Sequence, residues 1–416
     1  MPSRAPSFNP FRVLVHSPNF RLFFAGQTTS LIGTWMQQIA CGWLALQLSN
    51  DAFLVGVVAA AGTLPILILS LPGGVVADRY HRLRIVTIAQ ALMLLEATLL
   101  WWFTWTGRIT IGWLIAISLL GGIFAAFEIP ARQSLFAELV GKEHVMDAIA
   151  LNSSGFNFAR IAGPSLAALV IAHLGIAWCF GINALSYFAV LTSLILIRLP
   201  VRESAPPGRP LHALGEALTY VRTHRLTSVL IRVVAVYSLL GIPVLTLLPV
   251  LARDVLGLNA GGYGLLMTCV GVGAMLGALG LASAGPRLER QRALAVSSLA
   301  FPVLLILVSL SRVEAITGAL LGLIGACMVV NSAVINTMLQ AASPDALRGR
   351  VISVYVAVYI GTSPIGSFMS GAIARVWGAA WAIGGMAAVM LVFALWAFRR
   401  YPELRARPDA ALAGAP

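Results

Sequence analysis

The chain has 416 residues, of which 59% are hydrophobic and only 10% charged, and it carries a formal charge of +13. Soluble domains hold roughly 25% charged residues, so this composition excludes an ordinary soluble fold and points to an integral membrane protein. The arginine excess does not indicate nucleic-acid binding, because the basic residues are not gathered on a polar domain with interleaved aromatics.

In chain order, apolar runs long enough to cross hydrocarbon as helices, which takes about 20 residues, occur at 20–46, 53–77, 85–105, 111–137, 146–172, 176–197, 229–251, 261–284, 293–310, 315–340, 347–374 and 379–398. They lack the period-two alternation of membrane β-strands, and backbone polar groups in lipid must be paired within the segment, so helices are expected. The expected fold class is an all-α membrane protein with twelve transmembrane helices.

With the N-terminus in the cytoplasm, Arg4, Arg12, Arg21, the Arg79/Arg82/Arg84 group, Lys142, the Arg198–Arg232 group, Arg287, Arg290, Arg292, Arg348, Arg350 and the Arg399–Arg407 tail face the cytoplasm. Only Arg108, Arg253, Arg312 and Arg375 fall outside. The positive-inside rule therefore predicts both termini in the cytoplasm. Residues 1–19 show no apolar core with a cleavage signature, so no removable signal peptide is expected. Cys41, Cys179, Cys269 and Cys327 have no ligand-like spacing and read as small apolar residues, with neither disulfide nor metal expected.

The longest polar interruption begins at Arg198 and includes Glu203-Ser-Ala-Pro-Pro-Gly-Arg-Pro210, which cannot sustain a helix. The expected organisation is an N-terminal segment (1–19), a first six-helix bundle (20–197), a linker (198–228), a second bundle (229–398) and a cytoplasmic tail (399–416). In the linker, Leu211, Leu214, Leu218 and Val221 recur at helical spacing, which fits either a helix in the headgroup layer or an ordinary connector helix. Gly163-Pro164 in the fifth span is echoed by Ser363-Pro364-Ile-Gly366 in the eleventh. The two halves thus read as a parallel repeat with a substrate site at the midplane.

Residues 73–84, Gly-Gly-Val-Val-Ala-Asp-Arg-Tyr-His-Arg-Leu-Arg, join the second and third spans. Gly73 and Gly74 remove side chains where the second span should approach a neighbour. Asp78 sits at a helix C-terminus, where a carboxylate opposes the dipole and so needs a partner. The pattern Gly-x-x-x-Asp-Arg-x-Gly-Arg-Lys is matched by Gly74, Asp78, Arg79 and Arg82, with His81 and Leu83 departing from it. On these residues the chain resembles a major facilitator superfamily transporter. Asn19–Phe23, Pro130-Ala131-Arg132-Gln133, Leu151-Asn152-Ser153 through Arg160, Gly163-Pro164, Gly215–Arg225 and Arg348-Gly349-Arg350 are similar to its drug:proton antiporter branch, which includes enterobactin exporters, macrolide-efflux proteins and transmembrane secretion effectors.

The resemblance implies the major facilitator fold, two pseudo-symmetric six-helix bundles. It also implies a cytoplasmic gate at Gly74, Asp78, Arg79 and Arg82, in which Asp78 meets the start of the eleventh span at Pro344-Asp345. Anchoring against anionic lipid is the plainer reading of the arginines, above all Arg84. In the fifth span Gly155, Ala159, Gly163 and Ala167 form a small-residue stripe suited to close packing. Pro164 cannot donate to the Arg160 carbonyl, which weakens the helix beside an intramembrane cation. The family's Gly-Pro motif implies an outer seal there; a structural kink is the alternative, and Ala167-Ala168 replace the usual glycines.

Charged residues inside spans are costly unless paired, which makes Glu96, Glu128, Arg132 and Arg160 proton-coupling candidates. Glu128 and Arg132 can pair at four residues' separation, and Arg160 could share that carboxylate. A static network joining the fourth and fifth spans is the competing reading. Glu96 has no evident partner in its own span, which suits either a proton carrier or a carboxyl hydrogen-bonded to a neighbouring helix.

The family fold implies a cavity lined by the first, fourth, seventh and tenth spans. Its candidates are Gln27, Thr34, Trp35, Gln37 and Gln38; Phe124 and Phe127; Tyr237 and Thr246; and Asn331, Asn336 and Gln340. Asn152 and Asn157 of the fifth span join them. Mixed aromatics and amides suit a bulky amphipathic solute. Without a Walker loop, metal spacing or nucleophile elbow, no enzyme class competes.

The expectation is a monomeric secondary transporter of the bacterial inner membrane that exports a drug- or siderophore-like solute by proton antiport and rocker-switch alternating access. Its partners would be solute, protons and the lipid bilayer, with no nucleic acid, metal or cofactor. An importer or uniporter of a small metabolite, and a non-transporting receptor or scaffold, remain alternatives.

Overall fold

The structure, a computed structural model, describes residues 12–199, 210–285 and 289–404. Expectations for Arg4, the Pro/Gly stretch at 203–209, Arg287 and the tail beyond 404 lie outside those residues, as do the side chains of Lys142, Leu211, Leu214 and Asp345. Among the described residues there is no strand.

The long helices are α1 (Pro18–Ser49), α2 (Ala52–Arg79), α3 (Arg82–Trp105), α4 (Ile111–Val140), α5 (Val145–Leu174), α6 (Ala177–Leu196), α7 (Arg225–Val255), α8 (Ala260–Ala284), α9 (Arg290–Leu310), α10 (Glu314–Ala342), α11 (Asp345–Trp377) and α12 (Ala379–Arg400). Eleven of the described helices, α2 to α12, are long and apolar enough to cross a membrane. α1 has the length, 32 residues, but Gln27, Gln37 and Gln38 with four threonine and serine neighbours make it more polar.

Proline shapes these helices in two ways. Pro130, Pro164 and Pro364 lie inside unbroken helices. α7, which the sequence presents as one run, is interrupted instead. Helix runs to Leu240, resumes at Pro243 and ends in a π-helical turn, Leu251–Val255. Pro243 has no N–H to offer the preceding turn.

The chain falls into two compact units. The first comprises Met1–Ala40, Ile68–Ile109 and Leu119–Pro207. Its core is built on Phe20, Phe23, Leu135, Phe136, Leu151, Val190 and Leu194. Phe136 packs edge-on against Phe20 and Phe23 at 6.3 and 5.8 Å between ring centroids. In this unit α3 lies along α6, and α5 also packs on α6.

The second unit comprises Cys41–Leu67, Thr110–Ser118 and Gly208–Pro416. α8 packs on α10 so closely that a Cβ at Gly273 would sit on the Gly322 backbone, a contact open only to glycine. The linker helix (Pro210–Thr223) is docked here rather than free. The Tyr220 hydroxyl donates to the Ala342 carbonyl at 2.7 Å, and Glu216 pairs with Arg350. Val221 of its predicted apolar stripe is buried, whereas Leu218 is exposed.

Both units carry exposed apolar side chains such as Leu185, Ile195, Val392 and Trp381. Apolar surface of this extent is unfavourable in water and is the natural covering of a helix in lipid.

Candidate functional site

The first unit gathers the charged intramembrane residues. Glu128 on α4 is only 4% exposed, and Arg132, one turn later, donates Nε to its Oε1 at 2.7 Å. That is the four-residue pairing expected from the sequence. The same oxygen accepts from Gln90 Nε2 on α3 at 3.1 Å, a partner the sequence reading missed. The Oε1 of Gln90 is buried without a hydrogen-bond partner, an uncommon state for a polar atom. On α5, the Arg160 guanidinium lies over the Trp35 ring of α1, 5.8 Å from its centroid. A cation over an indole face is stabilised by the ring's quadrupole.

The α5 stripe explains how Arg160 reaches α1. Gly155, Ala159, Gly163 and Ala167 are all buried. A Cβ at Gly163 would come within 2.4 Å of Trp35 Cβ and 3.0 Å of the Ile32 carbonyl oxygen, so only glycine lets the two helices meet there. Trp35 in turn packs edge-on against Phe156 at 5.7 Å.

Glu96 on α3, 6% exposed, receives Gln37 Nε2 of α1 on both carboxyl oxygens at 3.0 Å. The Gln37 carbonyl oxygen accepts from Asn183 Nδ2 of α6 at 2.7 Å, and Ser186 donates to Asn183 Oδ1 at 3.2 Å. One buried run of side chains thus joins α3, α1 and α6. Gln37, expected in the cavity lining, is committed to this run, because a carboxyl in an apolar interior needs every hydrogen bond available. Tyr187 of α6 is buried as well.

At the gate loop, Arg82 pairs with Asp78 at 3.6 Å and, more closely, with Glu138 of α4 at 2.8 Å. Glu138 was not foreseen. The Asp78 side chain is 68% exposed. Of the two glycines, Gly73 is the contact: a Cβ there would meet the Ala126 carbonyl oxygen at 2.4 Å, whereas Gly74 has nothing within 4 Å. The expectation that both glycines serve a close approach is corrected for Gly74, whose missing side chain makes room for no neighbour.

The other cavity candidates divide. Thr34 and Gln38 are exposed, and Phe124, Phe127, Asn152 and Asn157 are half-buried, Asn157 donating to the Ser153 carbonyl within its own helix. Gln27 is buried, and its Oε1 has no partner.

In the second unit, Tyr237 of α7 donates to the Ser298 carbonyl of α9, and Asn331 of α10 donates to the Ser298 hydroxyl at 2.7 Å. Both are buried structural ties to α9 rather than open lining residues, because lipid forbids unpaired polar groups. Asn336 accepts from Gln340 one turn on, at 2.6 Å.

A further cluster in the second unit lies where α1 and α2 meet. Arg375 of α11 pairs with Asp51 at 3.4 Å and lies over Phe53, while Trp43 stacks on Tyr263 of α8 at 6.0 Å. Thr246 and Ser367 share a hydrogen bond of 2.9 Å. Of these side chains, Asp51 and Arg375 border a cleft of about 650 Å³, together with Ser49, Asp254 and Trp377. In the sequence, Arg375 stands out only as an exception to the charge rule.

A family profile described as transmembrane secretion effector matches residues 5–413, nearly the whole chain. The chain belongs to the transmembrane secretion effector family. This secretion-effector homologue is 25% identical, over 92% of its length and 97% of the relative's, to the staphyloferrin A transporter of Staphylococcus aureus. It is 26% identical to the enterobactin exporter EntS of Shigella flexneri, covering 85% of this chain and 84% of that one.

Among solved structures, a bacterial homologue of the human lysosomal transporter Spinster superposes with a TM-score of 0.71, at 14% identity over 97% of this chain and 100% of that one. A D-xylose-proton symporter gives 0.68, at 16% identity over 96% and 100%. The fold is that of the major facilitator superfamily. The secretion-effector homologue is a multi-pass protein of the bacterial inner membrane and a transporter rather than an enzyme.

Proposed function

We propose that the chain exports a siderophore-like, amphipathic small molecule by proton antiport, and that Glu128 is the coupling carboxylate. The observation that carries this reading is the buried Glu128, held between Arg132 and Gln90 on two adjacent helices. The pair is stable while Glu128 is ionised. A proton arriving on the carboxylate removes its charge, releases Arg132 from the ion pair and leaves a cation in an apolar interior until the structure rearranges. Arg160, held over Trp35 on the neighbouring helices, is the second cation sensitive to that change. Solute binding and proton binding can therefore alternate without any nucleotide.

The siderophore class is supported by two relatives whose names specify staphyloferrin A and enterobactin. The chain functions as a monomer of twelve crossing helices in two six-helix halves, with both termini cytoplasmic and rocker-switch alternating access. Asp78, Arg79 and Arg82 lie at the cytoplasmic gate, where the ties from Arg82 to Asp78 and Glu138 organise the turn between α2 and α3.

The reading is tested in everted membrane vesicles energised to an acidic interior, with iron-free enterobactin and staphyloferrin A as probes. Export by antiport predicts accumulation of at least one probe inside the vesicles and its release by a protonophore. Accumulation of neither probe, or accumulation that survives collapse of the gradient, contradicts it.

A further inference from the structure

The second unit carries a concentration of positive charge that the transport reading leaves unused. Tyr401, just past the end of α12, has three guanidinium groups around its ring: Arg232 at 5.0 Å from the centroid, Arg225 at 5.8 Å and Arg400 at 5.9 Å. Arg232 also donates to the Tyr401 hydroxyl at 3.0 Å. One carboxylate, Glu403, answers them, and it is engaged by Arg225 at 2.9 Å. Among the described residues, Arg232 and Arg400 have no carboxylate partner. All three arginines are exposed, and Arg399 beside them is exposed as well.

Like charges held around one ring repel unless an anion or water intervenes. The neighbourhood says where that anion comes from. Trp396, half-exposed on the α12 surface, packs edge-on against Tyr401 at 5.7 Å, and Phe393 lies a turn before it. Aromatic side chains with one apolar and one wet end concentrate at the boundary between hydrocarbon and headgroups. The arginines therefore stand at headgroup level, above an apolar helix face that an acyl chain can follow.

We propose that Arg225, Arg232 and Arg400, arranged on Tyr401, form a binding site for the phosphate of an anionic phospholipid headgroup. Arg232 and Arg400 supply the charge-assisted hydrogen bonds to the phosphate oxygens. Arg225 is held in place by Glu403, and the Trp396 and Phe393 rings flank the acyl chains. The site anchors the start of α7 to the end of α12 through the lipid.

The test uses the full chain purified in detergent, with phosphatidylglycerol and phosphatidylcholine of identical acyl chains as probes and retained lipid counted by native mass spectrometry. The wild type is expected to retain phosphatidylglycerol in preference. R232Q/R400Q should bind it roughly 30-fold more weakly, at the strength expected for two basic residues near an anionic surface. R232K/R400K, which keeps the charge, should retain most of the binding, and R108Q should match the wild type. No preference for phosphatidylglycerol in the wild type, or unchanged binding in R232Q/R400Q, overturns the proposal. Equal displacement by inorganic phosphate also overturns it, because the site would then be one for a free anion.

Discussion

Single residues decide several contacts here, and the glycines of the gate loop make that measurable. Gly73 and Gly74 are neighbours in sequence and equivalent in composition, yet only Gly73 faces the Ala126 carbonyl. Replacing Gly73 with Ala forces a methyl into occupied space and should destabilise by about 1–3 kcal/mol, the usual range for overpacking. Gly74→Ala meets nothing and should be neutral or stabilise by roughly 0.5–1 kcal/mol through helix propensity. Unfolding titrations of the two variants in mixed micelles check this, and equal losses would show that the α2–α4 contact is misassigned. The same scale explains what the sequence could not reveal. A pattern marks glycine as permissive, but which of two adjacent glycines touches a neighbour depends on the rotation of the helix against its partner.

At the scale of the helix, the buried amides act as ties. Gln37 stands between Glu96 of α3 and Asn183 of α6, so its loss orphans polar groups on two other helices. Gln37→Leu should destabilise by about 1–3 kcal/mol for each buried group left unsatisfied. Adding Glu96→Leu should recover part of that loss, because the orphaned carboxyl is removed with its partner. Chemical unfolding of the two single variants and the double variant gives the coupling directly, and strict additivity would contradict the tie.

Much of the helix layout was legible in the sequence, because a membrane-crossing helix is specified by the length of an apolar run alone. The partners were less legible. Gln90 is a polar residue in the apolar run that also holds Glu96, so it could have been flagged, but nothing in the sequence says that it turns toward Glu128. Tyr237 and Asn331 look like lining residues because they are polar in the seventh and tenth spans. Ser298 on α9 claims them both, and a serine in an apolar helix gives little warning of that. The break in α7 was written in Gly241 and Pro243, although the apolar run continues across it.

At the scale of the whole molecule, the proposed cycle turns on one carboxylate, Glu128, whose protonation would drive the switch. Such a residue should separate two activities that an ordinary folding defect would reduce together. Exchange of labelled for unlabelled solute across the membrane needs binding and the conformational switch but no net proton movement. Accumulation against a gradient needs the proton as well. The decisive measurement is therefore made on Glu128→Gln in everted vesicles, with whichever siderophore probe the wild type accumulates. Solute exchange should persist within a few-fold of wild type while accumulation driven by the pH gradient is lost; accumulation equal to wild type, at matched protein level, would contradict the assignment of Glu128.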